Sequence, residues 1–269
     1  MSHVDVPVYR PRSLDEAVRL RAEHPEATVF AGGTDLMVYL EAGIVRPVAI
    51  LDLWGLPELR RLRSVTGGQL YGAGLTCTDV IHAPSTHPLV RDAASTVGAA
   101  QIQNRATLGG NICNSSPAGD TLPVWLALRA EFELMSVHGT RRVPAAHFWR
   151  GYKQTELRPY ELLVRILVPP LAGHMHFRKV GTRMAQSISK VVFAGRYVPG
   201  VDAALAFGAV GPVPMRCPAA ERALVAGARP AEVAALVESE VTPIDDVRST
   251  AAYRRKVAGN IVRRWLESR

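Results

Sequence analysis

Two glycine-rich segments constrain this chain more than any other feature. The first is Ala31-Gly32-Gly33-Thr34-Asp35-Leu36. The second runs from Asn104-Arg105-Ala106-Thr107-Leu108-Gly109-Gly110-Asn111 through Ile112-Cys113-Asn114-Ser115-Ser116-Pro117-Ala118-Gly119-Asp120. Glycine pairs after apolar residues let a backbone approach a neighbour or a ligand closely. A polar stretch as long as the second normally lies in an exposed loop. Leu108, Ile112 and Cys113 thread through it, which predicts burial beside something polar.

The rest of the composition sets outer bounds. Of 269 residues, 48% are apolar and 21% charged, which excludes disorder over the whole chain. No apolar run approaches the ~18 residues of a membrane helix. Met1–Arg12 lacks an apolar signal core, so export by that route is not expected. The cysteines Cys77, Cys113 and Cys217 cannot form a disulfide framework or a four-thiolate metal site. A reducing cytoplasm is the expected compartment. The net charge is +8. Arg248, Arg254, Arg255, Lys256, Arg263 and Arg264 cluster near the C-terminus, on a solvated or partner-facing helix. Nucleic-acid binding is not expected, because no aromatic residues interleave with them.

Along the chain, Ser13-Leu14-Asp15-Glu16 opens a helix as a capping box. Thr28–Ala31 reads as a strand, Thr34 as the cap of a helix over 35–42 that Gly43 ends, and Val48–Leu53 as another strand. Arg61–Val65 and Gln69–Ala73 form a hairpin about Gly67-Gly68. A helix capped by Thr78, a helix over 89–97 and a helix led by Pro123 follow, then strands at Glu131–Val137 and Tyr160–Val168. Pro169-Pro170-Leu171-Ala172-Gly173 marks the domain boundary. Beyond it come three strands, His176–Val180, Val191–Ala194 and Ala203–Gly208, and helices at 219–225, 231–240 and 253–266. His174 and His176 have strand spacing and could share a face; a surface hairpin is favoured over a metal site.

Chemically, the first segment is neither a P-loop nor GxGxxG. It reads as a structural turn or as a phosphate approach at a helix start. In the second, main-chain donors with Thr107 and Asn111 suit a diphosphate, and Asp120 suits a ribitol or ribose hydroxyl. A self-stabilising buried Ω-loop is the alternative.

The two segments together resemble the FAD-binding subunits of molybdenum hydroxylases. Ile102-Gln103-Asn104-Arg105, Lys179-Val180-Gly181-Thr182-Arg183, Ser187-Ile188-Ser189 and the stretch Leu205–Arg216 extend the resemblance over nearly the whole chain. It is strongest to bacterial xanthine dehydrogenases whose FAD domain is a separate chain. The resemblance implies an α+β fold. A para-cresol-methylhydroxylase-type FAD-binding domain over 1–170, with α/β subdomains of about 1–56 and 57–170, precedes a small C-terminal domain over 171–269. That second domain is an antiparallel three-stranded sheet plus helices.

By the same resemblance, Val29, Ala31, Gly32, Gly33, Thr34, Asp35 and Leu36 line the FAD diphosphate. Ala106, Thr107, Gly110, Asn111, Cys113, Gly119 and Asp120 wrap the diphosphate and ribityl chain. Leu162, Leu163 and Lys179 lie near the flavin, and Lys179 or Arg183 stabilises its anionic reduced form. Val97-Gly98 stands where relatives often place an aromatic. Cys113 is a packing residue, and the four-cysteine iron–sulfur cluster of the benzoyl-coenzyme A reductase branch is not expected.

The function implied is an electron relay. A large subunit carrying molybdopterin hydroxylates the substrate, and a small subunit carries two-iron iron–sulfur clusters. FAD on this chain then reduces NAD or another acceptor. The implied complex is a dimer of heterotrimers acting on xanthine or another purine. The alternatives are the FAD subunit of a carbon monoxide dehydrogenase-like or other aromatic or aldehyde hydroxylase, and a free-standing flavin oxidoreductase.

Overall fold

Ser13 starts the first helix by accepting the Glu16 N–H at 3.2 Å. In the computed structural model, which describes residues 5–269, this helix is α1 (Leu14–Glu23), flanked by β1 (Val8–Tyr9) and β2 (Thr28–Phe30). The first four residues of the Met1–Arg12 segment lie outside the described part. Helix α2 (Leu36–Glu41) and strand β3 (Ile50–Asp52) complete this unit. Its sheet is parallel, in the order β1-β3-β2. Thr34 does not cap α2. Asp35 occupies that position and makes no side-chain cap bond. Gly43, at φ +65°, follows the helix.

The second unit begins with the hairpin β4 (Leu62–Val65) and β5 (Gly68–Gly72). Helices α3 (Cys77–His82), α4 (Pro88–Ser95), α5 (Ala100–Gln103), α6 (Leu108–Asn114) and α7 (Leu122–Ala127) follow. Thr76, not Thr78, caps α3, in a reciprocal capping box with Asp79. Then come β6 (Glu131–Ser136), β7 (Gly139–Pro144), α8 (Ala145–Phe148), the small hairpin β8 (Trp149–Gly151) and β9 (Gln154–Thr155), and β10 (Leu162–Val168). The five-stranded sheet has the order β4-β5-β10-β6-β7.

The last unit is an antiparallel sheet of β11 (His174–Val180), β12 (Val191–Val198), β13 (Asp202–Gly208) and β14 (Met215–Arg216). The two-residue β14 adds a fourth strand to the three expected. Helices α9 (Pro218–Val225), α10 (Pro230–Glu240) and α11 (Ala251–Glu267) cover one face.

Strand alternation explains how this unit docks. Ala194, Ala204 and Ala206 point to one face and join the large core around Tyr71, Trp125 and Phe132. Phe193, Leu205 and Phe207 point to the other and pack with Val237, Val262 and Trp265. The small alanines admit α7, every residue of which is buried. His176 lies nearly parallel to Trp265, 6.1 Å between ring centroids, and no group of three metal-ligating side chains occurs among the described residues.

Arg254 departs from the expected solvated face. It is buried on α11, donating to the Ala209 carbonyl at 2.8 Å and to Asp246 at 2.6 Å. Arg248 precedes the helix. Arg255, Lys256, Arg263 and Arg264 are exposed. No helix among the described residues is long and apolar enough to cross a membrane.

Candidate functional site

A cleft of about 1850 Å³ runs between the glycine segments and the last unit. Its walls contain Val29, Ala31, Gly32, Gly33, Thr34, Asp35 and Leu36, together with Ala106, Thr107, Gly110, Asn111, Cys113, Gly119 and Asp120. Leu162 and Leu163 of β10 line it too, as do Val97 and Gly98. Most of the residues expected at the site are therefore brought together in one concavity.

The first segment presents a run of unpaired donors. The backbone N–H groups of Gly32, Gly33, Thr34 and Asp35 find no acceptor within the described chain. Gly33 at φ +77° turns them along one path. Successive unpaired N–H groups make a concavity for phosphate oxygens.

The second segment works differently from the loop read in the sequence. Its first half is α6, capped by Thr107, whose hydroxyl accepts the Gly110 N–H at 3.0 Å. Leu108 donates to Leu75 and Gly109 to Ala73, so these donors dock the helix on the sheet rather than face a diphosphate. Gly109 is required there, since a Cβ would sit 2.8 Å from the Ala73 carbonyl oxygen. Beyond α6, the N–H groups of Ser116, Ala118 and Asp120 line the cleft without an acceptor. Asn111 accepts from Thr121 at 2.6 Å, and Thr121 in turn accepts from Trp125. That chain fixes the Asn111 amide oxygen inward and leaves its amino group as the donor for the cleft.

Asp120 is held from two sides. Lys179 Nζ donates to it at 2.7 Å and Ser189 Oγ at 2.5 Å. Burial pushes its carboxyl up from the ordinary range, opposed by the Lys179 ammonium and the two hydrogen bonds. Lys179 also donates to the Thr96 carbonyl at 2.8 Å, and its side chain is only 8% exposed. It stands behind Asp120 and is not part of the cleft wall. Arg183 is not at the wall either; its guanidinium donates to the Gln186 carbonyl at 2.7 Å and is exposed. Burial pushes the Cys113 thiol up to about 12, which suits the packing role and not a thiolate one.

Several lining residues escaped the sequence reading. They include Tyr39, Trp54, Tyr152, Lys153 and Gln186, while Ser187 to Ser189, part of the resemblance, line the cleft without having been assigned a role. Lys153 donates to the Tyr39 hydroxyl at 3.1 Å, tying the β8–β9 hairpin to α2. Their separation in sequence left no local signal. No aromatic replaces Val97-Gly98, and the aromatics of the cleft are Tyr39, Trp54 and Tyr152.

Residues 3–171 match the family model of the FAD binding domain in molybdopterin dehydrogenase, and residues 179–268 match the CO dehydrogenase flavoprotein C-terminal domain. The chain belongs to this flavoprotein family. It is 34% identical to the putative xanthine dehydrogenase FAD-binding subunit of Escherichia coli, over 91% of this chain and 87% of that one. It is 30% identical to the carbon monoxide dehydrogenase medium chain of Hydrogenophaga pseudoflava, over 97% and 95%. The crystal structure of quinoline 2-oxidoreductase from Pseudomonas putida superposes with a TM-score of 0.93 at 26% identity, covering 100% of this chain and 98% of that one. As a member of this molybdenum hydroxylase flavoprotein family, the chain is an oxidoreductase subunit with an FAD-binding domain. The unpaired N–H groups of the first segment fit the FAD diphosphate.

Proposed function

We propose that this chain is the electron-transfer subunit of a xanthine or other purine dehydrogenase, passing electrons from a partner's iron–sulfur clusters to NAD. The observation that carries the FAD part of this reading is the run of acceptor-less N–H groups at residues 32–35, set in a cleft shared with the last unit, and the similarity to a xanthine dehydrogenase FAD-binding subunit supports the relay. When bound, FAD supplies the redox chemistry, exchanging electrons one or two at a time. The chain's own residues do the rest. The N–H groups of residues 32–35 and the Asn111 amino group bind the diphosphate. Asp120, aimed by Lys179 and Ser189, accepts from hydroxyls of the bound molecule. Leu162, Leu163 and Val97 exclude water from the wall beyond.

Lys179 acts as a positioning residue, because its charge is spent on Asp120. The cleft is larger than the roughly 300–1000 Å³ of a site for a drug-sized ligand, which suits an extended dinucleotide such as FAD. In this reading a molybdopterin-bearing large subunit and an iron–sulfur small subunit complete the enzyme in the cytoplasm, as a dimer of heterotrimers. The similarity to the carbon monoxide dehydrogenase medium chain supports a second reading, with a different substrate oxidised by the partner.

The FAD-loaded chain alone should reduce a dye with NADH and leave purines untouched. Purine turnover by the isolated chain would overturn the relay. Loss of NADH-driven reduction with retention of dye reduction by another donor would overturn NAD as acceptor. Assay of the assembled complex with xanthine and with carbon monoxide separates the two substrates.

A further inference from the structure

We propose that Trp54, Arg60 and Arg105 form a clasp that sets the spacing of the two glycine segments, with Arg105 as a positioning residue for FAD. The proposal rests on the FAD reading above. Gly32 and Arg105 meet backbone to backbone; a Cβ on Gly32 would lie 1.9 Å from the Arg105 carbonyl oxygen. That approach needs glycine, but glycine supplies no attraction of its own. The attraction comes from Arg105. Its Nε–H donates to the Gly32 carbonyl at 3.3 Å, and its guanidinium stacks 3.5 Å from the Trp54 ring centroid.

Trp54 is itself held in place. Its N–H donates to the Asp52 carboxylate at 3.0 Å, fixing it at the exit of β3. The Arg60 guanidinium stacks 3.9 Å from the same indole and donates to the Trp54 carbonyl at 3.1 Å. Three separate stretches therefore converge on one half-buried ring: the exit of β3, the turn carrying Arg60, and the entry to α6.

The clasp lies at the edge of the cleft, not in a core. Trp54 and Arg60 line the cleft, and neither belongs to the buried clusters. Gly32 is the first of the N–H groups without an acceptor, so a shift of Arg105 moves the cradle directly. Removing the clasp should disturb FAD binding far more than the stability of the empty protein. Lysine cannot substitute, because it lacks the planar guanidinium that stacks and donates together.

FAD titrated into the purified FAD-free full chain tests this, read by flavin fluorescence, with thermal melting of the same FAD-free samples. Arg105→Ala and Trp54→Ala should each weaken FAD binding about tenfold, from loss of a partly desolvated cation–π contact and its geometry. Trp54→Phe, which keeps a ring, should stay within about threefold of wild type, and Arg105→Lys should not restore binding. The Trp54→Ala/Arg105→Ala double variant should lose less than the sum of the two single losses, because both remove the shared Arg105–Trp54 contact. Unchanged FAD affinity in Arg105→Ala, additive losses in the double variant, or Trp54→Phe as weak as Trp54→Ala would each overturn the clasp. A large fall in the melting point of FAD-free Arg105→Ala would assign it to folding instead. Failure of the wild-type chain to bind FAD would overturn the FAD reading itself, and the clasp's role with it.

Discussion

Asp120 and Lys179 are 59 residues apart in sequence and meet at 2.7 Å in a buried pair. Breaking such a pair from one side leaves an uncompensated charge, which costs about 3–5 kcal/mol. Lys179→Met should therefore lower stability by roughly 3 kcal/mol in urea melts and weaken FAD binding. The Asp120→Asn/Lys179→Met double variant should recover part of the stability but not the binding, since the charged carboxylate toward the cleft and the lysine that aims it are both gone. The residue-level reading of the sequence reached Asp120 from the chemistry of the second segment, and Lys179 only through family resemblance. Ser189 was quoted for that resemblance, yet its bond to Asp120 had no signal, because pairing across 69 residues leaves no local pattern. The pairing of Lys179 with Asp120 is what supports the positioning role proposed for it in place of direct charge stabilisation of the flavin.

At the scale of elements, α6 is the instructive departure. Glycine, asparagine and serine are poor helix formers, so Leu108–Asn114 reads as loop by propensity. The helix forms because tertiary contacts override propensity: Thr107 caps it, and Ala73 and Leu75 take its first donors. Thr107→Val should cost about 1 kcal/mol of stability, and Thr107→Ser should retain it. Gly109→Ala should cost about 1–3 kcal/mol by overpacking against Ala73, measured by chemical denaturation. Elements with strong local signals were legible in part: Ser13 caps α1 and Pro123 leads α7 as the pattern put them, but the Glu16 carboxylate accepts the Arg12 N–H instead of closing a capping box, and the hairpin turns at Thr66-Gly67, one residue before Gly67-Gly68. The caps of α2 and α3 were misplaced by one or two residues. Neighbouring threonines and aspartates compete for a cap, and only the folded backbone chooses among them.

For the whole molecule, the last unit docks by its alanine face and is braced internally by Arg254, which joins Asp246 to the Ala209 carbonyl. The two-faced alternation of Ala204-Leu205-Ala206-Phe207 was visible as a strand. Its use as a second docking face was not, because period-two patterning does not name the partner. Burial opposes ionisation of Asp246. The Arg248 and Ser249 N–H groups and the Arg254 guanidinium outweigh it and hold the carboxyl at about 2. A depressed folded value means stability present at neutral pH and lost as pH falls from about 4 toward 2, worth about 1 kcal/mol once solvent screening of this partly exposed group is counted. Asp246→Asn should be destabilised by about that amount at pH 7 and indistinguishable from wild type near pH 2, as followed by denaturant melts across pH.

The central claim is that one cleft, built from both glycine segments, holds FAD. The most direct measurement is to incubate the purified chain with FAD, remove excess by gel filtration, denature it, and quantify the released flavin by chromatography. The account predicts FAD at one per chain, with flavin mononucleotide unable to replace it. A chain that retains no flavin, or retains the mononucleotide equally well, would contradict a site built around the diphosphate.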